Sequence, residues 1–285
     1  MGVGGEQRRS DGRPDRGGRR ATGKRPKGAR SEAKPSEDRT GERLTGIHPI
    51  REALGAGRRE LRRLDVRAGA SHPAVGMLAA RARDLGVPVR EISDADPERL
   101  APPGVSLEVG TLPEISLEEL ILASSARSGP RTLVALDGVE DPQNLGAIAR
   151  VAEAAGVQGL ILTHRRAPPL SAAVSRASAG AIEWLPVARV PNLARALDAL
   201  QAEGYWVLGA DARAKDSLYQ LPDRLARADR VVVLGAEGHG LRPGVEKRID
   251  QMLRIPLGGR VASLNVSTAA AVVLFELQRR GGVSG

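Results

Sequence analysis

The run Thr132-Leu133-Val134-Ala135-Leu136-Asp137-Gly138-Val139-Glu140-Asp141-Pro142-Gln143-Asn144-Leu145-Gly146-Ala147-Ile148-Ala149-Arg150 changes its period half way along. Up to Leu136 the apolar residues are continuous, as in a strand buried on both faces. Gly138 and Pro142 punctuate a turn. Beyond Asn144 the apolar positions recur at helical spacing, so a helix is expected over 144–155. The alternation then repeats. Strands are expected at 132–136, 159–163, 184–187, 206–210, 231–234 and 253–256, and helices at 144–155, 171–179, 193–202 and 266–279. Strands alternating with helices imply a parallel sheet covered on both faces, an α/β fold. No internal repeat is visible.

Toward the N-terminus the pattern is looser. A helix is expected after Gly46-Ile47-His48, strands at 61–66, 87–92 and 106–109, and a helix at 75–85. Together these form a small α/β unit over 44–112. Gly, Pro and Ser mark a linker over 113–130, with 117–122 helical. The expected organisation is therefore a tail (1–43), a small domain (44–112), a linker (113–130) and a large C-terminal domain (131–285). Residues 1–40 contain no Leu, Ile, Phe, Trp or Tyr, but eight Gly and three Pro. Such a segment cannot bury enough apolar surface to offset its ordering entropy, and is expected to be disordered.

Charge points to a polyanionic partner. Of the net +9, residues 1–40 carry +6, from twelve Lys/Arg against six Asp/Glu. Such a tail is either a solvated arm or one that binds nucleic acid; the second reading implies a salt-dependent contribution to RNA affinity. Arginine outnumbers lysine 38 to 5, and its planar fork suits phosphate. Trp184, Trp206, Tyr205, Tyr219 and Phe275 are the whole aromatic set, too few for a surface that stacks bases. The absence of cysteine excludes disulfides, Cys-zinc sites, iron–sulfur clusters and thiol catalysis, and fits a cytoplasmic protein. No apolar run approaches the ~20 residues of a membrane helix, and no secretory signal is expected.

Three segments carry candidate chemistry. In the first, Asn144 is either a plain N-cap or a site residue. Arg150 is either a surface cation or a group reaching back toward the turn, because helical side chains lean N-terminally. The second is Val231-Val232-Val233-Leu234-Gly235-Ala236-Glu237-Gly238-His239-Gly240-Leu241, a buried strand entering a glycine loop. Glu237 stands where a dinucleotide fingerprint needs glycine and would repel a pyrophosphate, so a dinucleotide fold is not expected. With Glu237 as its only near neighbour of ligating type, His239 is not read as part of a metal site. The third is Ile255-Pro256-Leu257-Gly258-Gly259-Arg260-Val261-Ala262-Ser263-Leu264-Asn265-Val266-Ser267, a strand passing through a glycine loop into a helix rich in small residues. Ser263 or Asn265 can cap that helix. Gly18-Arg19-Arg20-Ala21-Thr22-Gly23-Lys24 imitates a P-loop, but Arg25 replaces the Ser/Thr and no strand precedes it.

In this order, over residues 133–276, the three segments closely resemble the motifs of the SPOUT-class TrmH/SpoU ribose 2′-O-methyltransferases. Residues 44–113 resemble the RNA-binding domain of the RlmB-like and mitochondrial ribosomal members. Leu44-Thr45-Gly46-Ile47-His48-Pro49-Ile50-Arg51-Glu52-Ala53-Leu54 and Val105-Ser106-Leu107-Glu108-Val109-Gly110 carry that likeness. Pro102-Pro103 departs from it, where relatives often show His-Gln. The resemblance implies a trefoil-knotted parallel-sheet methyltransferase domain that binds S-adenosylmethionine without a metal. Gly235, Ile255 and Leu264 would contact the cofactor, and Asn144, Arg150, Glu237, Ser263 and Asn265 match the functional positions. It also implies a homodimer with its active site at the subunit interface.

The implied activity is methyl transfer to a ribose 2′-hydroxyl of a guanosine in large-subunit rRNA. A tRNA methyltransferase and a non-catalytic RNA-binding protein on the same scaffold are the alternatives. The intact polar set favours an enzyme. Arginine stays protonated, so Arg150 is read as a phosphate clamp and alkoxide stabiliser rather than a base. Glu237 is an alternative base, or orients Arg150.

Overall fold

The computed structural model describes residues 1–2, 41–93, 100, 102–125, 129–236 and 238–281. Residues 3–40 of the basic tail and Glu237 lie outside the described residues. Residues Arg39–Gly285 form one compact unit that contains two sheets.

The first sheet has the order β1-β4-β2-β3, formed by β1 (Glu42–Thr45), β2 (Leu61–Arg67), β3 (Val89–Ile92) and β4 (Val105–Val109). β4 runs antiparallel to β1 and β2, while β2 and β3 are parallel. β1 was not anticipated. Its four residues hold one apolar side chain, and strand geometry comes from pairing with β4, Glu42 opposite Val109. Helices α1 (Ile47–Ala56) and α2 (Pro73–Asp84) cover the sheet, burying Ile50, Ala53, Leu54, Val75 and Leu78 with Leu64 and Leu107. α1 stops at Gly57, whose φ of 61° turns the chain left-handed while its N–H closes on the Ala53 carbonyl.

The stretch expected as a linker is in part built into the larger sheet. Ser116 and Glu119 form a reciprocal capping box that starts α3 (Leu117–Ser124). Leu117 and Leu120 are buried in the core of that sheet, and Ile115 bridges to Ala188.

The larger sheet is wholly parallel. Its strands are β5 (Thr132–Asp137), β6 (Gly159–Thr163), β7 (Val187–Val190), β8 (Trp206–Ala210), β9 (Asp216–Ser217), β10 (Arg230–Gly235) and β11 (Gln251–Arg254). They are ordered β7-β6-β5-β10-β8-β11-β9. β10 sits at the centre, paired with β5 and β8. Alternate residues feed two cores, as strand geometry requires. Val134, Leu136, Val232 and Leu234 face α4 (Pro142–Ala154), α5 (Ala172–Ala177) and α9 (Val266–Gly281). Leu133, Ala135, Val231 and Val233 face α3, α6 (Leu193–Ala202) and α8 (Pro243–Glu246). The short strand β9, α8 and α7 (Asp223–Ala226) had no sequence signal long enough to read.

The expected strand at 184–187 is displaced to β7. In its place Ala181–Glu183 forms a 3-10 turn, because Glu183 is drawn into the interior. It accepts from Arg59 Nε at 2.9 Å and Arg59 Nη2 at 3.0 Å, and from Ser175 Oγ at 2.8 Å. Beside it Arg58 donates to the Leu185 carbonyl at 2.5 Å, and Trp184 Nε1 donates to Glu52 Oε2 at 2.9 Å. These contacts tie the first sheet's domain to the larger one.

Candidate active site

The site lies where the larger sheet's strands end. Crevices outside the carboxyl ends of parallel strands are where α/β folds bind ligands, because connections diverge there and leave backbone groups free. Two adjoining cavities occupy that edge.

The first, of about 640 Å³, is lined by the ends of β8, β10 and β11, the loop after β11 and the start of α9. Gly235, Ile255, Ser263, Leu264 and Asn265 all line it. Gly235 ends β10 under the loop 236–240, where Gly240 N donates to the Ala236 carbonyl at 3.1 Å. A Cβ on Gly235 would stand 2.5 Å from the Gly240 carbonyl carbon and 2.8 Å from Leu241 N. Only glycine lets the loop close on the strand end so tightly. Gly238 and Gly240 hold φ of 82° and 66°. Leu234, Leu253, Ile255, Leu257 and Leu264 make much of the wall apolar. At the rim, hydrogen bonds from Arg213 hold the Asp211 carboxyl below the usual carboxylate range, against the opposing effect of burial.

The second cavity, of about 380 Å³, shares Ala236, His239, Gly240 and Val266 with the first. Its floor is buried Asp137 at the end of β5, which accepts from Arg242 N at 2.8 Å and Arg242 Nε at 2.5 Å. Asn144 lies on its wall.

Asn144 is not the cap of α4. Asp141 fills that role, accepting from Gln143 N, with Pro142 in the first turn. The Asn144 side chain instead accepts from Asn265 Nδ2 at 3.0 Å, across 121 residues of sequence. Asn265 caps α9 at the same time: its Oδ1 accepts from Ser267 N at 2.8 Å and Ser267 Oγ at 2.6 Å. The first and third motifs thus meet at a hydrogen bond between the two cavities. Gly146 lets α4 pack on α5: a Cβ there would stand 2.3 Å from Ala177 Cβ.

Arg150 lines neither cavity of its own chain and is exposed. Six positions beyond Asn144 is a rotation of about 240° and a rise of ~9 Å, which separates the two side chains. Glu237 lies outside the described residues. His239, Arg166 and Glu140, which line the second cavity, were not read as site residues. Among the described residues no three His, Cys, Asp or Glu side chains gather as a metal site, and no helix is long and apolar enough to cross a membrane.

The paired asparagines separate cap from contact. Asn265→Ser keeps a capping oxygen and removes the donor to Asn144. The expected result is an unchanged thermal midpoint with methyl transfer slowed about tenfold, the scale of one hydrogen bond. Asn265→Ala should lose about 1 kcal/mol of stability as well. A Ser variant that turns over like wild type would show that the contact is dispensable.

Residues 131–275 match the SpoU rRNA methylase family, and residues 43–112 match the substrate-binding domain of RNA 2′-O-ribose methyltransferases. A 23S rRNA (guanosine-2′-O-)-methyltransferase RlmB of Pseudomonas aeruginosa is 37% identical over 84% of this chain and 96% of its own. A TrmH family tRNA/rRNA methyltransferase of Staphylococcus haemolyticus is 33% identical over 83% and 95%. The crystal structure of an AdoMet-bound rRNA methyltransferase from Sinorhizobium meliloti superposes with a TM-score of 0.68, at 27% identity, over 84% of this chain and 87% of that one. The match over residues 131–275, with relatives 33% and 37% identical along most of both chains, shows that this chain belongs to the SpoU rRNA methylase family.

Proposed function

We propose that the chain, as a cytoplasmic homodimer, methylates a ribose 2′-hydroxyl of a guanosine in large-subunit rRNA, with S-adenosylmethionine as donor. The observation that carries this reading is the Asn265–Asn144 bond where the two cavities adjoin. It suits one cavity to the donor and the other to the acceptor.

The first cavity fits the donor. Its cradle at Gly235 excludes any side chain, so a ligand there meets backbone groups, and its walls offer apolar surface for an adenine and a thioether. Gly235, Ile255 and Leu264 would hold it. When bound, S-adenosylmethionine supplies a methyl group on a sulfonium, whose departure needs no acid. What remains for the protein is alignment and a place for the hydroxyl proton. Asn144, fixed by Asn265, and Ser263 would orient the ribose. Arg150 would clamp the neighbouring phosphate and stabilise the developing alkoxide, and Glu237 would take the proton or orient Arg150. The reading extends to the trefoil knot that the family resemblance implies.

One face of α9 is occupied within the chain: Ala270, Val273, Leu274 and Leu277 are buried in the core they share with α4, while Thr268 is exposed. Phe275 remains 44% exposed on the same helix, and the Arg150 side chain makes no hydrogen bond or ion pair among the described residues. Both suit a face covered by a second copy.

Three measurements test the reading. Calorimetry in excess chelator should show S-adenosylmethionine binding; binding that requires a divalent ion contradicts it. Labelled-methyl transfer should favour large-subunit rRNA over tRNA, from a dimer in sedimentation. Preferential labelling of tRNA, or an active monomer of the 30.0 kDa chain mass, would overturn the substrate or the dimer respectively.

A further inference from the structure

The second cavity holds two charged side chains that the chemistry above does not use. Arg166 follows β6 with φ of 62°, a left-handed conformation that costs energy for any residue with a Cβ. Its loop is fastened on both sides. Arg189 donates to the Thr163 carbonyl at 3.0 Å and to the Pro168 carbonyl at 3.1 Å, and is itself held by Glu114 at 2.8 Å. Thr163 Oγ1 donates to the Arg165 carbonyl. Arg166 is thus displayed by a fixed loop, exposed, on the wall of the cavity that contains Asn144. Glu140 lines the same cavity from the turn after β5, also exposed. Among the described residues neither side chain makes a hydrogen bond or ion pair. The other charged groups there are committed: Asp137 to Arg242, and Asp141 to the cap of α4.

We propose that this cavity is the pocket for the target nucleobase, and that Arg166 and Glu140 select guanine. The inference rests on the reading of the chain as a ribose methyltransferase. A cavity of about 380 Å³ lies in the range of small-ligand sites, and its shared wall with the first would keep a base beside the ribose that Asn144 orients. Guanine presents two acceptors, O6 and N7, which match the arginine fork. Its adjoining Watson–Crick edge presents two donors, N1–H and N2–H2, which match a carboxylate. Adenine places a donor at position 6 and an acceptor at N1, so both protein groups would lose a partner and remain desolvated. A phosphate would explain the arginine but would be repelled by Glu140, which favours the base.

The test is single-turnover methylation of one RNA fragment carrying guanosine, inosine, 7-deazaguanosine or adenosine at the target position. Wild type should prefer guanosine over each analogue, by about 10–100-fold against adenosine. Arg166→Gly keeps the left-handed backbone at no cost and removes the fork. It should slow guanosine and make it equal to 7-deazaguanosine, while Arg166→Lys, a point charge, should not restore the preference. Glu140→Gln should erase the preference for guanosine over inosine. S-adenosylmethionine affinity should be unchanged in all three. Equal wild-type rates on guanosine and adenosine would overturn the base pocket alone. So would an Arg166→Gly loss that is uniform across the four RNAs with a shallower salt dependence, the signature of a phosphate contact. Absence of methylation on every RNA would overturn the methyltransferase reading itself.

Discussion

Arg150→Ala should lower single-turnover methyl transfer by about 10²–10³-fold, the usual loss when a preorganised electrostatic group is removed, and leave S-adenosylmethionine affinity at the wild-type value. The cavity that fits the donor is built from β8, β10, β11 and α9, and Arg150 is on none of them. Its exposure on α4, turned away from Asn144, is best used if the guanidinium enters the site of a second copy. Arg150→Lys should also be poor, because an ammonium cannot reproduce a bidentate grip on phosphate. A mixture of Arg150→Ala and Asn144→Ala chains should then recover activity, since a mixed dimer restores one intact composite site. An Arg150→Ala enzyme that turns over normally while Glu237→Gln is dead would assign the chemistry to the carboxylate. Loss of the cofactor in Arg150→Ala would place the residue in the donor pocket instead.

Glu183→Ala should destabilise the chain by about 3–5 kcal/mol, the cost of leaving the buried Arg59 charge with the Gly110 carbonyl and the more distant Glu42 carboxylate, at 3.6 Å, in place of its bidentate partner. For a chain of this size that is a fall in Tm on the order of 10 °C. The Arg59 side chain is wholly buried, and Glu183 is its bidentate acceptor. Burial pushes the Glu183 carboxyl up, with Arg59 and the Ser175 hydroxyl acting in the opposite direction. Replacing both partners by apolar residues, Arg59→Met with Glu183→Leu, should lose far less than Glu183→Ala, because desolvating the pair offsets much of its attraction. Melting curves of the single and double variants decide this. A Glu183→Ala protein that melts within a degree or two of wild type would show that water reaches Arg59.

The same pair shows where sequence reading stops. Leu185, Val187 and Trp184 form an apolar run that any periodicity rule assigns to a strand. The strand starts at Val187, because Glu183 is held by an arginine 124 residues away. No local pattern carries that contact. Local patterns did carry β5, β6, β8 and β10, whose apolar runs are buried on both faces. The capping residue of α4 was misread: the helix was expected to open at Asn144, but Asp141-Pro142 is the stronger start, and Asn144 instead meets Asn265 across the chain. Gly235, Ile255, Ser263, Leu264 and Asn265 share one cavity, and Asn144 touches it through Asn265. Arg166 carried no such signal. Its value lies in a backbone angle and a fastened loop, neither of which is written in a run of arginines.

The chemistry itself has a direct readout. Large-subunit rRNA incubated with the protein and S-adenosylmethionine, then digested to nucleosides and resolved by mass, should yield 2′-O-methylguanosine as the new product. Its methyl group should be on the ribose fragment, and it should be absent with Asn144→Ala. A methyl group found on a base, or on the ribose of a nucleoside other than guanosine, would contradict the proposed reaction at its centre.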